Sequence, residues 1–166
     1  FALAEQERAG LEARFPALRG KNLFAVIWTT TPWTLPANLA LAFHPDADYA
    51  CYPVEGTNDV LVLAKALKEA AEARFWGATD NPKRLGEALA EAKGSAFEHL
   101  RFRHPWIDRD SPGVLGDYVT LDTGTGIVHT APGHGWDDYL TGLRYGLDIY
   151  CPVDAAGRFL PEIERF

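Results

Sequence analysis

The chain is short of the features that mark several protein classes. Its only two cysteines, Cys51 and Cys151, fall in no metal-ligand spacing. With no secretion signal beside them, they are expected to be reduced thiols and not a disulfide framework. No apolar run nears the ~18 residues of a membrane-spanning helix. The opening stretch FALAEQERAGLEARF scatters charge through what would be the apolar heart of a leader peptide. The expectation is a soluble, cytoplasmic protein with no membrane contact. Basic residues are also scarce, 16 Lys and Arg against 23 Asp and Glu, for a net charge of −7. A free-standing nucleic-acid binder normally carries a basic face. An acidic domain can still meet one nucleotide at a strand end, if another part of a larger protein presents it. Internal repeats and low-complexity tracts are absent as well.

What remains is a globular composition. Of the 166 residues, 47% are hydrophobic and 12% aromatic, enough for one domain with a real core. KNLFAVIWTTT (Lys21–Thr31) reads as a strand with a continuous apolar stretch, closed by Pro32 and Pro36. LALAF, DYACYPV and DVLVLA read as further short strands separated by the turn signals HPDAD and EGTND. The spacing of apolar residues predicts a helix over Lys65–Gly77. A second is predicted over Asn81–Gly94, with Asn81 capping and Gly94 stopping it. GDYVTLD and GIVHTA return to strand patterns. A last helix is expected over about Trp136–Tyr145, closed by Gly146, and then a terminal hairpin around DAAG. The pattern predicts an α+β fold, a curved or barrel-like sheet of short strands with a few surrounding helices.

Three stretches have the residue types for chemistry, each with an ordinary alternative. In Thr29-Thr30-Thr31, strand alternation puts Thr29 and Thr31 on one face and Thr30 on the other. Hydroxyls and freed N–H groups at a strand end can hold a carbonyl oxygen, although threonine also suits strands and caps turns. DTGTG (Asp122–Gly126) is compatible with one half of an aspartic-protease-type dyad, which would require a dimer. It is equally a glycine turn between strands. HTAPGHGWDDY (His129–Tyr139) holds two histidines and two aspartates, but its prolines and glycines break the helical spacing a metal pair wants. Alternatively, the loop delivers Asp137 and Asp138 into the first turn of the last helix, whose positive end favours carboxylates. One of them can cap the helix and the other meet a cation such as an ammonium group.

Taken together, TTTPWTLPANLAL (Thr29–Leu41), GDYVTLDTGTGIVHTAPGHGWDDY (Gly116–Tyr139) and YGLDIYCPVDAAGRF (from Tyr145) resemble the editing domain of isoleucyl-tRNA synthetases. The resemblance starts at about Leu23. It leaves residues 1–20 as a peripheral segment beside a core of 21–166, in a single domain belonging to a larger synthetase. Related valyl and leucyl domains look like Thr-Thr-Arg-Pro where this chain reads Thr30-Thr31-Pro32. The two signature motifs of a class I synthetase core are absent here, so aminoacylation is not expected of this chain.

The resemblance implies hydrolysis of valine misattached to the 3′ end of isoleucine tRNA, without metal or cofactor. It implies Thr29, Thr30 and Thr31 around the aminoacyl group, His129 as the limit on side-chain size, and Asp138, not Asp137, for the α-ammonium group. It also implies Trp33, Thr34 and Asn38 around the terminal adenosine and the attacking water. The expected partners are aminoacyl-tRNA, its valine moiety and the remainder of the synthetase, with the isolated fragment a monomer. The alternative is a fragment that binds small aminoacyl analogues and hydrolyses nothing without the synthetase core.

Overall fold

The computed structural model describes residues 1–77, 83–161 and 163. Among them nine short strands join in one mixed sheet: β1 (Ala2–Leu3), β2 (Asn22–Ala25), β3 (Ala40–Phe43), β4 (Asp48–Pro53), β5 (Asp59–Ala64), β6 (Ala90–Lys93), β7 (Arg101–Arg103), β8 (Asp110–Leu115) and β9 (Ile127–Thr130). Helices α1 (Glu5–Arg14), α2 (Lys68–Trp76) and α3 (Trp136–Tyr145) accompany them. The strand order is β6-β4-β5-β2-β1-β7-β8-β3-β9. The fold is α+β as expected, and its sheet is open, with β6 and β9 as edges.

Burial explains the central strands. In β5, Val60, Val62, Leu63 and Ala64 are all buried, so both faces are covered, and β3 is buried at every position. Phe43 of β3 stacks on Phe97 at 4.9 Å, with Tyr49 edge-on to both rings. Tyr49 also donates its hydroxyl proton to Gly126 O at 2.5 Å, anchoring the turn that leads into β9.

Two pairings are parallel, β2 with β5 and β3 with β8. β8 does double duty: Asp110–Pro112 pair with β7, and Gly113–Leu115 with β3. It changes partners at Gly113, where a Cβ would lie 2.0 Å from Phe97 O. Sequence reading misses β8 because Pro112 and Gly113 look like breakers. It also misses α1, β1 and β7. Residues 1–20, expected to be peripheral, supply α1 and the strand β1, which sits in mid-sheet between β2 and β7.

Three expected elements differ. The predicted strand Lys21–Thr31 leaves the sheet after Ala25, with a last ladder bond from Val26 N to Val62 O. The cause is competition, because the next donor of β5, Ala64 N, is taken by Thr125 O of the DTGTG turn at 2.8 Å. The helix expected over Asn81–Gly94 gives way to an irregular run and then β6, which pairs antiparallel with β4 (Asn81 and Pro82 lie outside the described residues). EALAEAK has strong helix formers, but Ala90 and Ala92 alternate inward with Glu91 and Lys93 outward, and the sheet edge overrides propensity. GDYVTLD is a loop in which Val119 N turns back to Gly116 O. By contrast, α3 runs over the predicted Trp136–Tyr145, and Gly146 closes it in the left-handed region at φ 65°. The terminal hairpin is present as a bridge between Val153 and Phe159.

Candidate functional site

Release of the chain from the sheet after Ala25 creates the site's first edge. Thr29 Oγ1 accepts a hydrogen bond from Thr31 N at 3.1 Å and lies 3.3 Å from Thr31 Oγ1. Both hydroxyls therefore sit together, held by a side-chain turn and not by the strand alternation expected of them, since the strand ends at Ala25. Thr30 is exposed. Pro32 then starts a 3-10 segment, Pro32–Ala37, which places Trp33 outward at 59% exposure and turns Thr34 inward. Thr34 Oγ1 donates to Thr31 O at 2.8 Å and lies 3.0 Å from His129 Nε2.

His129 belongs to β9 and faces Leu41 of β3 across an antiparallel pair. It is 7% exposed, and its Nδ1 has no hydrogen-bond partner among the described residues. Burial drives its pKa down to about 4, helped by nearby His134 and His104, so the ring is neutral at physiological pH. Two residues on, Ala131 N donates to Asp138 Oδ2 at 3.1 Å. One path therefore runs from the Thr29–Thr31 hydroxyls through Thr34 and His129 along β9 to the Asp138 carboxylate.

Asp138 stands in the first turn of α3 beside exposed Asp137, and neither caps the helix through its side chain. Burial raises the Asp138 pKa, the Ala131 N–H pulls it back, and Asp137 raises it further. A Cβ at Gly135 would come within 3.1 Å of Asp138 Oδ2, so that glycine leaves room for the carboxyl group. Gly135 carried no signal in the sequence beyond being a loop glycine.

Asn38 lies on the framework side of the site. It is fully buried, its Nδ2 donating to Ala40 O at 2.8 Å and its Oδ1 accepting from Ser111 Oγ at 2.6 Å. One N–H and the oxygen of its amide are thus both bonded to the framework, which fixes the entry into β3. Trp28, singled out by nothing in the sequence, proves structural. Arg74 of α2 lies 4.3 Å from its ring centroid, and a Cβ at Gly124 would strike it at 2.9 Å. The DTGTG stretch is thus a turn, with Gly124 and Gly126 at positive φ, packed behind the residue that precedes Thr29. Among the described residues, no group of three or more His, Cys, Asp or Glu is placed to hold a metal ion. No described helix is long and apolar enough to cross a membrane.

The chain was compared with known proteins. It is 50% identical over 151 residues to the isoleucine–tRNA ligase of Geobacter sulfurreducens, a match covering 91% of this chain and 15% of that protein. The ligase of Aeromonas hydrophila is 47% identical over 166 residues, covering 96% of this chain and 17% of its own length. The chain belongs with the isoleucine–tRNA ligases. It corresponds to one segment of them, since it spans about 15% of the first relative's length. Among solved structures, the editing domain of P. knowlesi cytosolic leucyl-tRNA synthetase superposes with a TM-score of 0.68 at 14% identity, covering 90% of this chain and 63% of that one. GlLeuRS-CP1 gives a TM-score of 0.66 at 18% identity, covering 90% of this chain and 59% of that one. At those identities the likeness establishes a shared fold. No family model matches the chain.

Proposed function

We propose that this segment of an isoleucine–tRNA ligase hydrolyses the ester joining valine to the 3′ end of isoleucine tRNA, in the cytoplasm. The observation that carries the reading is the polar path from Thr29 and Thr31 through Thr34 and His129 to Asp138. The Thr29 and Thr31 hydroxyls and the Asp138 carboxylate share one hydrogen-bonded frame with a buried ring between them, which supports reading the hydroxyls as carbonyl-binding and the carboxylate as ammonium-binding. Asp138 takes the α-ammonium group, His129 sets the depth available to the side chain, and Thr29, Thr30 and Thr31 orient the ester and water. Trp33 is free to cover the terminal adenosine. His129 is neutral and enclosed, so it acts as a wall and not as a base. Orientation of the water then falls to the strand-end backbone and the substrate's neighbouring ribose hydroxyl. An aminoacyl ester is labile enough for positioning to suffice.

The need for such a site follows from energetics. The isoleucyl enzyme is itself the standard illustration: one methylene in an apolar pocket is worth only about 1–3 kcal/mol, so a second, smaller site must reject the error. Exclusion by size works where the larger side chain cannot enter at all. The net charge of −7 means the isolated domain holds tRNA weakly, and most of the affinity comes from the rest of the ligase.

The test is a deacylation assay of this chain on valyl- and isoleucyl-tRNA. Valine should be released and isoleucine spared. Binding of a valyl-adenosine analogue without release of valine would instead assign the chain as a binding segment that depends on the synthetase core. Loss of activity on adding a chelator would point to a metal.

A further inference from the structure

The hydroxyl of Thr34 has one proton and two neighbours within hydrogen-bond reach. One neighbour, Thr31 O at 2.8 Å, is a carbonyl and can only accept. It also accepts from Thr34 N at 3.0 Å, which fixes the carbonyl in place. The hydroxyl proton therefore goes to Thr31 O, and Thr34 Oγ1 can only accept from His129 Nε2, 3.0 Å away. That requires the ring to carry its proton on Nε2 and leaves Nδ1 as a bare, buried lone pair. The opposite tautomer would either set two acceptors against each other or draw the hydroxyl proton away from Thr31 O, and in both cases it would bury an unpaired N–H at Nδ1. That arrangement costs about 1–3 kcal/mol per unmet group.

We propose that Thr34 is a positioning residue: its hydroxyl locks His129 as the Nε2–H tautomer in a fixed ring orientation, and through that ring sets which aminoacyl side chain the site admits. The relay ties the 3-10 segment carrying Thr34 to β9, beside the backbone bond from Leu39 N to Thr130 O at 2.9 Å. The ring plane then cannot rotate without breaking the Thr34 bond, and a wall that excludes one extra carbon must hold still. The neutral state of the ring agrees with this, because a doubly protonated imidazole would bury a second N–H at Nδ1 with nothing to receive it. The size-discrimination part rests on the editing reading above. The tautomer part rests on the hydrogen-bond geometry alone.

The experiment pairs spectroscopy with kinetics on this chain and its Thr34→Ser and Thr34→Val variants. Ring ¹⁵N resonances at neutral pH report which nitrogen of His129 carries the proton. Wild type and Thr34→Ser should both show protonation at Nε2. Thr34→Val keeps the shape without the hydroxyl, and should shift the ring toward a mixture of tautomers. Its preference for valyl over isoleucyl ester should fall about fivefold, the equivalent of one ordinary hydrogen bond of about 1 kcal/mol. A wild-type ring protonated at Nδ1 overturns the proposal, as does a Thr34→Val ring that keeps the wild-type tautomer. A changed tautomer with unchanged discrimination overturns the positioning role. If wild type releases neither amino acid, the editing reading fails, and the spectra still decide the relay. If Thr34→Val does not fold, wild type and Thr34→Ser keep the tautomer assignment open to refutation.

Discussion

On one side of the polar path lie Thr34, Asn38 and His129, all buried, each polar group facing a framework partner except His129 Nδ1. On the other side lie Thr30, Thr31 and Trp33, exposed, beyond the point where β2 has left the sheet. The difference separates two tasks that a hydrolytic site must perform. Shape is held by the enclosed side, where a displaced polar group loses its partner in a low dielectric. On the proposed editing reading, reactivity falls to the open side, where hydroxyls and a strand-end backbone can exchange water for substrate at little cost. Substitutions on the enclosed side should therefore move stability and selectivity, and those on the open side should move rate. Asp138 lies between the two, half-buried, with one oxygen held by Ala131 N.

Asp138→Ala gives the largest expected effect. Removing the carboxylate leaves the substrate ammonium without its counter-charge. Truncating one partner of a buried charge pair costs about 2–5 kcal/mol, so kcat/KM for valyl-tRNA should fall on the order of a hundredfold. Asp137→Ala should stay within about threefold of wild type, because Asp137 points to solvent and reaches Asp138 only through a screened charge. Equal losses in the two variants would place the ammonium between both carboxylates.

Next come Thr29→Val and Thr31→Val, which sharpen the contrast from the open side. Each should lower kcat about tenfold or more if its hydroxyl orients the reacting ester. Each should leave thermal stability within about 0.5 kcal/mol of wild type, as expected for partly exposed positions. A matching loss of stability would show that the exposed threonines belong to the framework after all. Asn38→Ala probes the enclosed side and should do the reverse. Ser111 Oγ and Ala40 O lose their partners, an expected cost of about 1–3 kcal/mol. The melting temperature should drop by several degrees, at roughly 2–4 °C per kcal/mol for a domain of this size. If Asn38→Ala keeps its stability and loses only turnover, a role beside the attacking water gains support.

How much of this contrast the sequence discloses depends on the range of the interactions involved. α3 was legible to the residue because its signals are local: an extended glycine before Trp136, two acidic residues in the first turn, and a glycine at the C-cap. The Thr29–Thr31 pair also rests on a local bond, from Thr31 N to Thr29 Oγ1, although through a side-chain turn and not the alternation of a strand. The end of β2 was not legible, since it depends on Thr125 capturing Ala64 N, a pairing between residues far apart in the chain. β6 was misread for the same reason, its alanines being turned inward by the edge of β4. Asn38 sits in a motif that reads as functional, and only its contact with Ser111, far along the chain in β8, reveals a structural amide. The Thr34–His129 contact also joins distant segments, which is why the sequence does not show that the two side chains meet.

The smallest expected effect is a pH dependence of stability. The folded-state pKa of His129 is pushed down to about 4 from an ordinary 6.5. Between those values the unfolded chain binds a proton that the folded ring refuses, so stability should fall as pH drops from about 6.5 toward 4 and be fully present above it. His104, also lowered by burial, contributes with the same sign. Asp138 works in the opposite sense at the acid end, since its raised pKa means the folded state binds that proton more readily than the unfolded one. The total slope thus mixes several groups, Asp154 with its lowered pKa among them, and comparison with His129→Gln isolates one of them. Glutamine can still donate to Thr34 from the position of Nε2 but does not titrate. Its unfolding free energy, measured by denaturant titration, should decline less steeply across pH 6.5 to 4 than that of wild type. Parallel slopes would mean that His129 takes up a proton in the folded state as easily as in the unfolded chain. Its Nδ1 would then face a partner or solvent, and the ring would belong with the open side of the site.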